Sequence, residues 1–413
     1  MLTRRLNSGP IVLQEQQLSD PFHLSQDAVS ALMQFNLAVI EDGRPRKRRP
    51  VTPIPTPKSS HYRLQTNSIV GSFHAGGVDF NILPKAGVGR TVEFLAYGAG
   101  LAFWQSDLSR FEAAQTFTEA LIPQFLREVN GILKIGLVED YIAVEERGVT
   151  PRGRLEFDLL VRQGLPLPID YSYDEFSLNT PFNRLLLRGL HEVTDIPSVD
   201  RSVKSAAKTA ILDFSDVAFD SSPPPFSGRE YLNPRYSHYR NAAILATLIL
   251  DHLGLEPISG TRNARGLLFD MNRVYEAFVI AAVRNTTQKS LTIDVKGDFR
   301  KLFLDTKSTV PLYPDFSVWQ GSKCLLFGDA KYKVLNRSDS APTSDLYQML
   351  SYATAGKCPK TLLFYTGETV RRDLIITNTQ VKIAIRILDL SLSIAELEWI
   401  VAESISESLM FDA

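Results

Sequence analysis

The residues best suited to catalysis lie in two short segments in the last third of the chain. Asp315 follows a proline, and Asp329 and Lys331 close an apolar run that begins at Lys323. Carboxylates are oxygen ligands that suit Mg²⁺, which takes one or two of them from a protein. Such an ion polarises a phosphate and activates water, while a nearby lysine orients that water or helps to deprotonate it. The chemistry that these side chains fit is metal-dependent hydrolysis of a phosphodiester.

Both segments have the pattern of β-strands joined by a short turn. Trp319–Ser322 contains a glycine and separates two apolar runs, which predicts a hairpin. We expect Val318 to lie opposite Cys324, and Asp315 opposite Phe327. This register puts the second aspartate on the same face, diagonally and about 7–8 Å away, with the lysine two residues further along. Both carboxylates would then reach one cation.

Three further polar residues lie on helices that flank this hairpin in the sequence. Glu276 is at the edge of the apolar stripe of an amphipathic helix, Met271–Ala282, where a third carboxylate would support the metal. Gln348 and Tyr352 are four residues apart on the next helix and share a face. Each of the three alone also fits an ordinary surface position. In the same way, the two aspartates fit turn and strand-end positions, and the lysine fits a solvated strand edge.

The chain holds all these residues in the order of a known pattern: Glu276, Asp315, Asp329-x-Lys331 and Gln348-xxx-Tyr352. This order resembles the PD-(D/E)XK nuclease superfamily, in its variant with a Gln-xxx-Tyr helix and with aspartate before the x-Lys. More segments make the chain resemble the McrC family, the nuclease subunits of McrBC modification-dependent restriction systems. These segments are Ile82–Lys85, Arg152–Arg154, Tyr173–Phe176, Asn179–Arg184, Asn233–Tyr239, Phe269–Asn272 and Gly328–Tyr332.

The resemblance implies a cofactor, a set of site residues and two partners. Mg²⁺, with Mn²⁺ as an alternative, would be held by Asp315, Asp329 and Glu276, and all six residues of the pattern would be catalytic. The protein partner implied is a hexameric AAA+ GTPase like McrB, which recognises and translocates methylated DNA and is stimulated by the N-terminal part of McrC. The stimulating residue does not map onto this sequence. We expect no nucleotide on this chain, because it lacks the G-x-x-x-x-G-K-[ST] loop that cradles phosphates.

The composition is that of a globular protein without an overall charge that would attract nucleic acid. Of 413 residues, 44% are hydrophobic, and 45 Lys and Arg stand against 46 Asp and Glu, a formal net charge of -1. Any DNA contact is therefore expected to be local or shared with a partner. The first ten residues contain no signal-peptide core, and no run approaches about 18 apolar residues. We therefore expect a cytoplasmic protein that does not enter a membrane.

Other classes of site are poorly supported by the sequence. The six histidines show no H-E-x-x-H or similar spacing, and there is no G-x-S-x-G motif. The cysteines, Cys324 and Cys358, are too few for a disulfide framework or a zinc site, and their positions favour a structural role. Two alternatives to the restriction nuclease stay open. One is a non-catalytic adaptor that regulates an AAA+ motor, and the other is a stand-alone repair or defence nuclease.

The patterns along the chain predict a multidomain α+β protein in four parts. Residues 1–60, with the basic run Arg44–Pro50, show little periodicity and are expected to be an arm or linker. Residues 61–150 are predicted to form a small α+β domain and residues 151–260 a mostly helical domain, and the resemblance to the McrC family implies that these two serve partner docking. Residues 261–413 are predicted to form an α+β domain, and the resemblance implies that it is a PD-(D/E)XK restriction-endonuclease-like domain, a central mixed sheet flanked by helices.

Apolar periodicity also predicts individual elements. Strands are expected at 291–295, 302–305, 315–318, 324–331, 361–365, 374–377 and 382–389. Helices are expected at 111–129, 185–193, 239–253, 271–282 and 344–355, with a last helix that begins at Ser393. Three consecutive prolines predict a loop at Ser221–Phe226.

Overall fold

The structure is a computed structural model that describes residues 9–41, 44–101, 114–150, 152–155, 168–220, 234–253, 264–288 and 290–410. The chain divides into two compact units, one made of Met1–Ala120 with Gly254–Ala413 and the other of Leu121–Leu253. Helices and strands alternate through both units. The predicted α+β class is confirmed for the described residues.

The helices and strands have the following bounds. The helices are α1 (Gln26–Gln34), α2 (Val88–Gly98), α3 (Phe117–Ile135), α4 (Pro181–Asp195), α5 (Arg201–Leu212), α6 (Arg240–Asp251), α7 (Met271–Thr286), α8 (Thr343–Ala355) and α9 (Ile394–Met410), with a 3₁₀ helix at Pro234–Tyr239. The strands are β1 (Ile11–Gln14), β2 (Phe22–His23), β3 (Leu37–Glu41), β4 (Arg44–Arg48), β5 (Val51–Pro55), β6 (His61–Thr66), β7 (Ile69–Ala75), β8 (Val78–Leu83), β9 (Asp140–Gly148), β10 (Arg154–Leu155), β11 (Ile169–Ser177), β12 (Ala264–Asp270), β13 (Thr292–Val295), β14 (Leu302–Phe303), β15 (Pro311–Leu312), β16 (Phe316–Gln320), β17 (Lys323–Val334), β18 (Lys360–Thr366), β19 (Val370–Ile375) and β20 (Lys382–Leu388). Among the described residues, no helix has both the length and the apolar character needed to cross a membrane.

The first unit contains a mixed six-stranded sheet in the order β13-β16-β17-β18-β20-β19. The pairs β17/β18 and β18/β20 are parallel, and the other neighbouring pairs are antiparallel. The central strands β18 and β20 are buried along almost their whole length. Continuous apolar runs of this kind are typical of strands covered on both faces.

Helices cover both faces of this sheet. On one face α8 packs against β17, β18 and β20, and its Met349 and Tyr352 share a buried apolar cluster with Leu363. On the other face α7 packs against β17, while α9 packs against α7, β18 and β20. Tyr275 of α7 is buried, and its hydroxyl donates to the backbone carbonyl of Tyr365 at 3.0 Å. These contacts hold the helices at fixed positions relative to β17.

A four-stranded sheet, in the order β1-β8-β7-β12, leads into α7. Strand β12 pairs with β7 and ends at Asp270, whose carboxylate caps α7 by accepting from the backbone N–H of Asn272 at 3.0 Å. The side-chain amide of Asn272 donates to the hydroxyl of Ser68 at 2.7 Å. The segment Phe269–Asn272 therefore begins α7 and ties it to this sheet.

The first 60 residues differ from the arm or linker predicted from the sequence. Strand β1 pairs in parallel with β8, from Ile11 opposite Phe80 to Gln14 opposite Leu83. The basic run lies in β4, which pairs with β3. The prediction of an arm is wrong over these elements, because strands of four or five residues are too short to show periodicity and their burial depends on partners elsewhere in the chain.

The second unit combines helices with the three-stranded sheet β10-β11-β9. Thr180 caps α4, which packs against α5 and α6. The buried side chain of Asn183 donates to the carbonyls of Val138 at 3.0 Å and Leu178 at 2.7 Å, and it accepts from the hydroxyl of Tyr239 at 2.8 Å. This network gives the Asn-Thr-Pro-Phe-Asn segment of the sequence a structural role, because an unpaired buried amide would be costly.

The division into four domains stays a prediction. The first compact unit joins Met1–Ala120 with Gly254–Ala413, in part through long-range strand pairing such as that of β7 with β12. The predicted loop at Ser221–Phe226 lies outside the described residues, and so do the first residues of the helix predicted at 111–129.

Candidate active site

The hairpin of β16 and β17 brings the predicted catalytic residues together in a different register from the one predicted. Phe316 pairs with Gly328 and Val318 with Leu326, so the same register places Asp315 opposite Asp329. The predicted diagonal arrangement is wrong, because only two residues separate the paired strand ends and a β-bulge follows Val318. Directly opposite residues lie closer than diagonal ones, and the backbones at the two aspartates are therefore nearer to each other than predicted.

The two aspartates form a pair of like charges removed from water. Asp329 is 1% exposed, and Asp315 is partly buried, with its Oδ2 accepting from the backbone N–H of Ala330 at 2.8 Å. Burial, together with the charges of Asp329 and Glu276, raises the pKa of Asp315 well above its ordinary value. Burial also raises the pKa of Asp329 to about 6, although Lys331 opposes that rise. Strongly raised carboxylate pKa values are typical of functional sites.

Lys331 is the cation closest to this pair among the described residues. Its Nζ lies 2.5 Å from Oδ2 of Asp329, and its side chain is 21% exposed. Burial acts to lower the pKa of Lys331, but the carboxylates of Asp329 and Asp315 outweigh it, and the pKa is raised. The amine is therefore a charged ammonium at neutral pH. In this state it offsets negative charge and donates hydrogen bonds.

Gln348 and Tyr352 point toward the segment that leads into Asp315. The amide of Gln348 donates to the hydroxyl of Tyr352 at 2.6 Å, and this hydroxyl donates to the backbone carbonyl of Tyr313 at 3.0 Å. Tyr352 is buried. The pair fixes the backbone two residues before the first aspartate, which gives it a positioning role in this structure.

Glu276 lies close enough for its charge to act on both aspartates, but it is paired with another residue. Its Oε1 is 2.6 Å from Nζ of Lys296, and its side chain is 18% exposed. Across the described ranges, no three His, Cys, Asp or Glu side chains are placed to hold one metal ion. The role of Glu276 as a third metal ligand stays a prediction.

Sequence reasoning missed a second polar cluster that borders the site. Both carboxylate oxygens of Asp345 accept from Nζ of Lys333, at 3.0 and 2.9 Å, and Oδ2 also accepts from the hydroxyl of Tyr365 at 2.7 Å. Burial acts to raise the pKa of Asp345, but these hydrogen bonds outweigh it, and the pKa is lowered. The alternation Asp329-x-Lys331-x-Lys333 could have shown the shared strand face.

The donor set fits a hard divalent cation. Asp315 and Asp329 supply two carboxylates, and Mg²⁺ commonly takes only one or two from the protein while it keeps several waters. Asp345 and Glu276 add negative potential at Asp329. A cation would relieve the like-charge repulsion that raises the pKa of Asp315.

Comparisons with known proteins give the family of the chain. Residues 64–366, which include every candidate catalytic residue, match the family model of the McrBC 5-methylcytosine restriction system component. One similar structure is a half-complex from a tetradecameric assembly of Thermococcus gammatolerans McrB AAA+ hexamers with bound McrC. It is 14% identical in sequence, covers 97% of this chain and 100% of that chain, and has a TM-score of 0.59. A second, of the Thermococcus gammatolerans McrBC complex, is 17% identical, covers 68% of this chain and 89% of that chain, and has a TM-score of 0.43.

A search among curated proteins gave no significant match. The family model covers well over half of the sequence, and the first structure shares the fold over nearly the whole chain. The chain therefore belongs to the family of McrBC 5-methylcytosine restriction system components.

Proposed function

We propose that this chain is the nuclease subunit of a modification-dependent restriction complex, a McrC-like, Mg²⁺-dependent DNA endonuclease with a PD-(D/E)XK site. One observation carries the proposal. The hairpin places Asp315 opposite Asp329, with the Lys331 ammonium 2.5 Å from the second carboxylate, in a site largely removed from water. Two carboxylates beside a lysine on adjacent strands are suited to metal-dependent hydrolysis of a phosphodiester.

Each residue has a defined role in the proposed reaction. Asp315 and Asp329 would hold Mg²⁺, with Mn²⁺ as an alternative, and the ion would supply a Lewis acid that neutralises charge on the phosphate. The Lys331 ammonium lies beside them, where it orients water by donating hydrogen bonds and offsets charge that develops on the phosphate oxygens. Tyr352, supported by Gln348, holds the backbone that carries Asp315. A site placed on strands and fixed by helix contacts keeps these groups aligned.

The proposed partners follow from the family and the fold. The first of the similar structures contains McrB AAA+ hexamers with bound McrC. We propose that this chain likewise assembles with an AAA+ GTPase hexamer and stimulates its GTP hydrolysis. The nucleotide would bind to the motor and not to this chain. Methylated DNA is the proposed substrate, and the cytoplasm is the proposed place of action. The net charge of -1 supports delivery of DNA by a partner.

The test combines the chain with a McrB-like AAA+ GTPase from the same genome, GTP and Mg²⁺, and follows cleavage of methylated and unmethylated plasmid. We expect methylation- and GTP-dependent cleavage by the wild type and by Asp216→Asn, an exposed carboxylate in the second unit. Asp329→Asn should lose at least about 100-fold in rate, because it removes a proposed metal ligand. It should retain stimulation of GTP hydrolysis.

Other outcomes select the other hypotheses. Full cleavage by Asp329→Asn would refute the proposed site. Stimulation of GTP hydrolysis by a wild type that cuts no form of the plasmid would favour the adaptor. Cleavage that needs neither GTP nor the AAA+ protein would favour a stand-alone nuclease.

A further inference from the structure

Lys296 is a second lysine at the acidic cluster, and no role in the proposed reaction accounts for it. It lies in the turn that follows β13, and its Nζ is 2.6 Å from Oε1 of Glu276, with 46% of the side chain exposed. The two residues are 20 positions apart and lie on different elements. Glu276 is the carboxylate that the sequence pattern assigns to the metal.

The turn that carries Lys296 is fixed in place by its backbone. The N–H of Lys296 donates to the carbonyl of Asp315 at 3.3 Å, and the N–H of Asp298 donates to the carbonyl of Val295 at 3.1 Å. The N–H of Phe299 donates to Oδ1 of the buried Asp294 at 3.1 Å. The backbone of Lys296 is therefore hydrogen-bonded to the backbone of Asp315, a proposed metal ligand.

The turn geometry does not explain the choice of lysine. Lys296 has φ 53°, and Gly297, which follows it, has φ 69°. Consecutive left-handed residues favour glycine, asparagine or aspartate, whereas a lysine adopts this conformation at an energetic cost. A strained residue in a well-anchored turn raises the question of what its side chain does there. The use that the structure shows is the contact of its ammonium with Glu276.

The charges around the pair indicate what this contact does. Glu276 borders the two aspartates, because its partner Lys296 donates its backbone N–H to the carbonyl of Asp315, and its charge acts to raise the pKa of both Asp315 and Asp329. Lys331 is paired with Asp329, and Lys296 is paired with Glu276. A divalent cation at the two aspartates would attract the Glu276 carboxylate, which the Lys296 ammonium already holds. The metal ion and the Lys296 ammonium would therefore compete for the Glu276 carboxylate.

We propose that Lys296 is a positioning residue that acts as an internal counter-ion of Glu276 and competes with the divalent metal for this carboxylate. It keeps Glu276 ordered when no metal is bound and weakens metal binding by the strength of the ion pair. The inference rests on the proposed metal-dependent function and names a residue that tunes it. Lys296 would set the metal concentration at which the site is occupied.

The test measures metal binding without DNA or partner. Mn²⁺ is titrated calorimetrically into the full-length wild type, Lys296→Asn, Lys296→Arg, and Lys301→Asn as an exposed control. Asparagine suits the left-handed turn, so Lys296→Asn should fold, and urea unfolding checks this. We expect Lys296→Asn to lower the Mn²⁺ Kd about two- to fivefold, the effect of losing a part-exposed ion pair. Lys296→Arg and Lys301→Asn should bind as the wild type does.

A second pair of variants separates competition from a general change in charge. In the Glu276→Gln background the ammonium has no carboxylate to hold, so adding Lys296→Asn should leave the Kd unchanged. An unchanged or weaker Mn²⁺ affinity of Lys296→Asn, or the same gain in both backgrounds, would overturn the inference while the proposed nuclease function stands. If the wild type does not bind Mn²⁺ at all, both the inference about Lys296 and the proposed metal-dependent function are overturned. Cleavage in the absence of metal would confirm that the function does not depend on a metal.

Discussion

At the level of single residues, the buried carboxylates that make the site suitable for a cation also destabilise the folded chain when no cation is bound. Burial raises the pKa of Asp329 to about 6. A raised pKa means that the folded chain holds the proton more tightly than the unfolded chain. Its stabilising effect is therefore complete below the unfolded pKa of about 4 and is lost as the pH rises through about 6. At pH 8 the charged Asp329 is a cost to folding.

Because the charged Asp329 is a cost to folding at pH 8, Asp329→Asn should stabilise the folded chain in the absence of metal. We expect the variant to have a higher free energy of unfolding than the wild type by about 1–3 kcal/mol at pH 8, as a pKa of about 6 in the folded chain against about 4 in the unfolded chain implies. At pH 5, where Asp329 is ionised mainly in the unfolded chain, we expect about half of that difference. Urea unfolding in EDTA at the two pH values measures this. Mg²⁺ should stabilise the wild type and leave the variant unchanged. Equal stability of the two proteins at pH 8 would contradict the predicted cost of the buried charge.

The hydroxyl and the ring of Tyr352 have separate roles, so that one can be removed without the other. Tyr352→Phe keeps the buried ring but removes the hydrogen bond to the carbonyl of Tyr313. We expect a loss of about 1 kcal/mol in stability and a lower kcat, because the backbone before Asp315 is less well held. The exposed Tyr347 on the same helix gives the matched control, Tyr347→Phe, which should change neither quantity. A stability loss with unchanged kcat would leave Tyr352 a purely structural residue.

At the level of elements, the close approach of β16 and β17 depends on the absence of a side chain at position 328. A Cβ on Gly328 would lie 1.9 Å from Cζ of Phe316, which is buried in the strand opposite. Gly328→Ala should therefore destabilise the protein by about 1–3 kcal/mol through overpacking. It should also reduce cleavage, since Asp329 is the next residue. Thermal unfolding and plasmid cleavage test both effects.

A matched glycine in a helix gives the opposite expectation. Gly131 lies inside α3, and among the described residues no atom outside the nearby chain of its own helix lies within 4 Å of the position that an alanine Cβ would occupy. Gly131→Ala should therefore stabilise the protein by up to about 1 kcal/mol. If both alanine variants shift stability in the same direction, steric contact with Phe316 is not the cause of the Gly328 effect.

The sequence predicted the elements around the site better than their pairing. Most strands and helices after residue 290 are close to their predicted bounds, because long apolar stretches such as Lys360–Thr366 carry a strong local signal. The exceptions are β19, which begins four residues before its predicted start, and the two-residue strand β15, which was not predicted. The hairpin register failed at the β-bulge after Val318, which no local pattern marks. The ion pair of Lys296 with Glu276 was missed for another reason. It joins residues 20 positions apart, so only the packed structure brings them together.

At the level of the whole molecule, the charge balance is unusual for the proposed action on DNA. The net charge of -1 gives the chain no long-range attraction for a polyanion, and the candidate site is itself acidic. Non-specific affinity for DNA comes mainly from phosphate contacts with lysine and arginine. A nuclease site in such a molecule needs another protein to bring the substrate to it. The proposed AAA+ GTPase partner would supply this delivery.

The absence of net positive charge predicts a large difference in DNA binding between the isolated chain and its proposed assembly. Alone, in about 150 mM salt, the chain should bind a methylated duplex no more tightly than a typical non-specific protein, with Kd above about 1 μM. With the AAA+ GTPase and a GTP analogue that is not hydrolysed, apparent affinity should rise by at least about 100-fold, because the motor supplies the DNA contacts. Fluorescence anisotropy with the cleavage-deficient Asp329→Asn chain measures both states. Tight, salt-resistant binding by the isolated chain would show that it locates DNA by itself, and the proposed dependence on a motor would then fail.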